Sequence, residues 1–99
     1  MTSTTKTLTT NPVRDNTALK RFELDVEGGV AFATYRRTAT ADIITHTETP
    51  GALRGRGVAS QLVKGTLDLI RADGRKVVAG CSFVVDYLQK HPEVADLEA

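Results

Sequence analysis

The sequence predicts a mixed α/β (α+β) domain: an N-terminal antiparallel hairpin and a third strand, then a helix, a strand and a second helix. Three observations carry this expectation. Phe22, Leu24 and Val26 alternate with Arg21, Glu23 and Asp25, the period-two pattern of a half-buried strand, just before the turn residues Glu27-Gly28-Gly29. Val58, Leu62 and Leu69, with Ala59, Val63, Leu67 and Ile70, recur every three or four residues and form the stripe of an amphipathic helix. Short Ile- and Val-rich runs on either side of that helix are punctuated by Pro50, Gly51, Gly74 and Gly80.

Each element follows in order. Residues 1–12 are rich in threonine, with Leu8 the single large apolar side chain after Met1. Such a segment buries too little surface to offset its ordering entropy, so a flexible tail is expected at 1–12 and one domain at 13–99. Residues 20–26 and 30–36 make the hairpin, the second arm containing Phe32 and Tyr35. Residues 42–49 read as the third strand, and strict alternation places Ile44, His46 and Glu48 on one face, with Ile43, Thr45 and Thr47 on the other. The amphipathic helix ends at Gly74, a residue suited to a left-handed helix end. Residues 76–80 form a short strand around Val77 and Val78, and Ser82 caps a second helix that Pro92 stops. A strand–helix–strand unit of this spacing makes a parallel pair, so the sheet is mixed.

The bulk numbers exclude several classes. With 99 residues, 40% hydrophobic and 25% charged, the chain has an ordinary globular composition. A net charge of +1 argues against broad charge-driven binding to nucleic acid or an anionic membrane, but not against a small anion held by clustered arginines. A single cysteine, Cys81, rules out an intrachain disulfide. No apolar run approaches the roughly 20 residues needed to cross a bilayer, and the amino terminus lacks a signal-peptide pattern, so a cytoplasmic address is expected. No set of His, Cys, Asp and Glu has metal-ligand spacing, so no metal is expected.

Chemistry concentrates between the third strand and the first helix, in Leu53-Arg54-Gly55-Arg56-Gly57-Val58-Ala59. Two glycines let a ligand approach the backbone. The first helical amides lack internal partners, the helix dipole adds positive charge, and Arg54 and Arg56 add more. Together they predict a pyrophosphate site, the alternative being a glycine-rich loop with solvated arginines. No Gly-Lys-Ser/Thr follows, which excludes a Walker-type loop, and Ser60 stands where a dinucleotide fingerprint needs its third small residue.

Arg54-Gly55-Arg56-Gly57-Val58-Ala59 resembles the coenzyme A motif of the GNAT acetyltransferase superfamily: Arg or Gln, two variable residues, Gly, one variable residue, then Gly or Ala. The chain is similar in particular to the compact subfamily of short GNAT-like proteins. His46-Thr47-Glu48-Thr49-Pro50, residues 53–59, Lys76-Val77-Val78, Cys81-x-Phe83 and His91-Pro92-Glu93 carry that resemblance. It implies an acetyl-CoA site, with the pyrophosphate on the amides of residues 55–59 and the pantetheine between splayed strands at 42–49 and 76–80. The partners it implies are acetyl-CoA (or coenzyme A) and an amine acceptor, small or peptidic.

Acetyl transfer to an amine needs a base, because an alkyl amine has a pKa near 10.4. Glu48 ends the third strand beside the implied thioester, and His46 lies two residues away; ordinary strand polarity is the alternative for both. Tyr87 compares with the tyrosine that protonates the thiolate in many GNAT enzymes, and the alternative is a core tyrosine. Cys81 ends a strand and precedes a helix amino terminus, which favours the thiolate, so it could accept the acetyl group; a cysteine buried for packing is the alternative. The leading expectation is an N-acetyltransferase. A non-catalytic acyl-CoA-binding or sensing module is the second, and a loop binding some other anion the third.

Overall fold

The computed structural model describes residues 12–53 and 55–99. Five strands, β1 (Arg14–Asn16), β2 (Arg21–Val26), β3 (Gly29–Arg37), β4 (Ala41–Glu48) and β5 (Lys76–Ala79), form one sheet in the order β1-β2-β3-β4-β5. The first four are antiparallel neighbours, and β5 pairs with β4 in parallel across helix α1 (Val58–Ala72). Helix α2 (Ser82–Lys90) and a 3-10 segment (Pro92–Leu97) complete the chain's described part. The mixed sheet and the strand–helix–strand–helix order are those expected. The threonine-rich tail, apart from Pro12, lies outside the described residues. No described helix is long and apolar enough to cross a membrane.

Local chemistry explains the element ends. Gly28 turns the hairpin with φ 84°, a left-handed value that costs glycine little. At the end of α1, Gly74 has φ 70°, and two bonds close the last turn, Gly74 N–H to Arg71 O (3.0 Å) and Arg75 N–H to Ile70 O (3.0 Å). This pairing satisfies carbonyls that the helix itself leaves free. At α2 the expected cap needs correcting: Cys81 holds the N-cap position with extended backbone, and Ser82 is already helical.

The core lies on one face of the sheet. Phe22, Leu24, Ala31, Ala33, Tyr35 and Ile44 pack there against Val58, Leu62, Val63, Leu67 and Ile70 of α1 and Val84, Tyr87 and Leu88 of α2. Each large side chain so buried contributes about 1.5–3 kcal/mol. The opposite face carries Arg21, Glu23, Phe32, Thr34, Arg36 and His46, by their register opposite one another across β2, β3 and β4. Among the described residues no helix lies on it.

Two features escaped the sequence pattern. The first is β1, whose Arg14 donates to Glu23 Oε1 (2.6 Å) and whose Asn16 donates to Glu23 Oε2 (3.0 Å). With Arg21 they cover Glu23, which is buried although it sits on the helix-free face. The second is a bulge in β4. Thr34 pairs with His46 but Tyr35 pairs with Ile44, which leaves Thr45 as the extra residue. Strict alternation therefore fails at Thr45. Ile44 faces the core with Thr47, whose partner is Ala33, whereas His46 and Glu48 turn to the helix-free face with Thr34 and Phe32.

The first half of β4 is held by a polar knot. Asp42 is fully buried, and Arg37 grips it with Nε to Oδ1 at 2.6 Å and Nη2 to Oδ2 at 2.9 Å. Arg75 donates to the same carboxylate (3.1 Å) and to the carbonyls of Thr38 and Ala41. Arg37 also reaches Asp15, which accepts the Tyr35 hydroxyl at 2.6 Å. A carboxylate removed from water is stable only with such charged donors around it.

Candidate active site

The glycine loop leads from β4 into α1. Pro50 leads into a 3-10 turn, Gly51–Leu53, closed by Leu53 N–H to Pro50 O (2.9 Å), and Arg56 N–H returns to Leu53 O (3.3 Å). Gly55 and Gly57 then take φ 81° and 77°. Gly57 is the N-cap of α1 without any side-chain cap, and Gln61 N–H makes the first helical bond to Gly57 O (3.0 Å). The amides of Val58, Ala59 and Ser60 precede that bond and have no helical partner. No acidic residue occupies the first turn of α1, where one would ordinarily complement the dipole. Space in front of both glycines is open, since a Cβ built on either would meet nothing within 4 Å. A cleft of about 260 Å³ runs along the loop, lined also by Thr49, Leu53, Ser60 and, from α2, Phe83. Arg56 is exposed, and Arg54 lies outside the described residues.

Next to the loop, β4 and β5 separate. Their pairing runs from Ala41↔Lys76 to Ile44↔Ala79, and Gly80 N–H makes the last bond, to Ile44 O at 2.8 Å. A Cβ at Gly80 would stand 2.7 Å from that same oxygen, so only glycine allows the strands to touch there before they part. β4 continues to Glu48 without β5 beside it.

The bulge distributes the candidate side chains around this gap. On the helix side, Thr47 Oγ1 lies 4.0 Å from Cys81 Sγ, both residues half-buried. On the helix-free side, His46 Nε2 lies 3.1 Å from Glu48 Oε1, and both side chains are more than half exposed. Phe32 meets the His46 ring edge-on at 6.5 Å, and the Arg21 guanidinium covers Phe32 at 4.4 Å. Tyr87 sits on α2, its ring buried and stacked on His91 at 3.8 Å. Burial raises its pKa above the ordinary phenol value. The structure thus brings His46 to Glu48, Thr47 to Cys81 and Tyr87 to His91. Sequence reasoning overlooked Thr47, because its face is set by the bulge, and left Phe83 without a role in the cleft.

Chemically, the gap offers a strand edge with unused donors and acceptors, a thiol on one side and a histidine–carboxylate pair on the other. The loop offers free amides for an anion.

The chain is similar to known proteins in family and in fold. A family model described as GCN5-related N-acetyl-transferase matches residues 21–97. Protein NATD1 from Homo sapiens is 37% identical over 49 residues, which cover 50% of this chain and 43% of that protein. The Xenopus tropicalis NATD1 is 35% identical over 49 residues, 50% of this chain and 45% of its own. The match thus spans under half the length of those relatives. The NMR solution structure of a GCN5-like protein from Staphylococcus aureus superposes with a TM-score of 0.67 at 26% identity, covering 92% of this chain and 90% of that one.

Proposed function

The chain belongs to the GCN5-related N-acetyl-transferase family, and from that premise we propose that it binds acetyl-CoA and transfers the acetyl group to an amine. The observation that carries this reading is the gap opened where β5 leaves β4 at Gly80, beside a loop of two left-handed glycines with free helix amides. The pyrophosphate would rest on the amides of residues 57–60, with Arg56, and Arg54 by its place in the motif, adding charge. The pantetheine amides would take up the unpaired edge of β4 beyond Ile44.

The chain's own groups divide the work around the thioester. Glu48 and His46 face the side from which an amine can approach, since no described helix covers it. Paired at 3.1 Å, they would take the proton that the amine loses on attacking the carbonyl carbon. As the tetrahedral adduct collapses, the carbon–sulfur bond breaks and the coenzyme leaves as thiolate, which needs a proton. Tyr87 on α2 would supply it from a phenol whose pKa burial raises, its ring stacked on His91. Cys81, opposite the histidine–carboxylate pair, offers a second route, in which its sulfur accepts the acetyl group and passes it on.

One observation favours a second reading, an acyl-CoA-binding module with little turnover. The face bearing His46 and Glu48 has no helix to wall an acceptor pocket. Calorimetric titration of acetyl-CoA, followed by intact mass and an amine screen, tests both. Micromolar saturable binding with turnover is expected; binding without turnover on any amine selects the module. Gly57→Glu places a charged side chain on the phosphate path and in a left-handed backbone, and should abolish binding. Unchanged affinity in that variant would remove the loop from the site. A one-acetyl mass gain lost in Cys81→Ala selects the acyl-cysteine route.

A further inference from the structure

Among the described residues, the arginines and lysines are tied to carboxylates or carbonyls at all but three positions, Lys20, Arg36 and Arg56. Arg56 belongs to the glycine loop. Lys20 and Arg36 line one cleft of about 400 Å³, formed where β3 ends, between the turn after β1 and the start of β4. The cleft is large enough for a small molecule. Its third cation, Arg37, is already neutralised by Asp42 and Asp15 and stacks on the Tyr35 ring at 4.5 Å. Ile43, the sheet partner of Arg36, adds an apolar side chain, and Thr38 a hydroxyl at the rim.

The backbone adds a second observation. Lys20 has φ 56°, the one left-handed residue other than glycine among those described. A lysine adopts that conformation at a cost, and such residues persist where the surroundings hold them. Here the holding bonds are Tyr35 N–H to Lys20 O (3.0 Å) and Lys20 N–H to Thr17 O (3.3 Å). They fix the lysine at the cleft's wall. A glycine or asparagine would fit this backbone more easily, but neither would bring a cation.

We propose that this cleft binds a small organic anion, its phosphate or carboxylate group paired with Lys20 and Arg36 and its apolar body on Ile43. The site is separate from the glycine loop. Ile43 and Thr49 lie six residues apart along β4 and its exit, about 20 Å in extended chain. The inference does not depend on acetyl transfer, because the two sites involve different residues.

The test is an NMR titration of the ¹⁵N-labelled full chain with phenyl phosphate, and in parallel with benzoate, at constant ionic strength. Saturable shifts at Lys20, Arg36, Thr38 and Ile43 are expected, and the ligand that gives them identifies the anionic group. Lys20→Gln and Arg36→Gln, both on the surface, should each weaken binding about tenfold. Lys20→Gly should lose binding while melting at no lower temperature than the parent chain. Shifts confined to residues 55–60, non-saturating shifts, or unchanged affinity in both glutamine variants would overturn the proposal. So would a destabilised Lys20→Gly, since the lysine would then not be held against its backbone preference.

Discussion

The paired strands β4 and β5 are built from opposite materials at their two ends. Where they start, a buried carboxylate is clamped by two arginines, Asp42 between Arg37 and Arg75, and Arg75 also ties down the carbonyls of the preceding loop. Where they finish, a glycine makes the last bond and the strands part, leaving Thr47 near Cys81 inside and the His46–Glu48 pair outside. One end is fixed by desolvated charge. The other leaves backbone groups unpaired by the sheet. The fold concentrates its fixed charge pairs away from the gap, so that the gap can stay open without the two strands separating altogether.

The largest effect is expected at the clamped end. Asp42→Ala leaves two arginines facing a cavity, and should cost about 3–5 kcal/mol, the range for a buried ion pair broken on one side. Urea denaturation measures it; a loss under about 1 kcal/mol would mean the clamp does not hold the strands. At the open end, Gly80→Ala pushes a methyl against Ile44 O, and the strain should cost about 1–3 kcal/mol. It should also displace β5 and weaken coenzyme binding, which calorimetry on the folded variant would read.

Burial, and then the Asp15 carboxylate, push the Tyr35 phenol up to about 12, whereas an unfolded tyrosine titrates near 10. The folded chain thus keeps a proton that the unfolded chain releases. The stability that this contributes is complete below pH 10 and is lost as pH rises through about 12. Tyr35→Phe should flatten that part of the alkaline limb in a series of urea melts from pH 8 to 12. The smallest structural effect belongs to the exposed pair. Glu48→Gln should change stability by less than about 0.5 kcal/mol. Yet under the proposed chemistry it should slow amine acetylation by about a hundredfold or more, measured as turnover at saturating coenzyme.

Much of this was legible in the sequence, for local reasons. The hairpin turn at Gly28, the end of α1 at Gly74 and the loop at Gly55 and Gly57 rest on glycines whose role is set by neighbouring residues. The parts that were not legible depend on distant ones. Arg14-Asp15-Asn16 has no strand pattern and becomes β1 because Arg14 and Asn16 reach Glu23. By its alternation with Phe22 and Leu24, Glu23 reads as solvent-facing, yet it is buried under Arg14, Asn16 and Arg21, and Asp42 is buried under Arg37 and the distant Arg75. The bulge at Thr45 leaves no trace, because one threonine in a run of polar residues looks like the next. It decides which side of the gap His46, Thr47 and Glu48 serve, so the site's residue types could be read but not their sides.

Among the described residues, the sheet's outer borders are ill suited to self-association. Strand addition between copies needs a long, flat, unpaired border. β1 is three residues long and carries Arg14 and Asp15. On the other side, the residues after the 3-10 segment return to β5, with Glu98 bridged to Val77 and Ala99 N–H bound to Val77 O at 3.0 Å. One border is short and charged, and the other is clipped by the chain itself. Edge-to-edge stacking into fibrous aggregates is thereby discouraged while the interior gap stays free for a ligand.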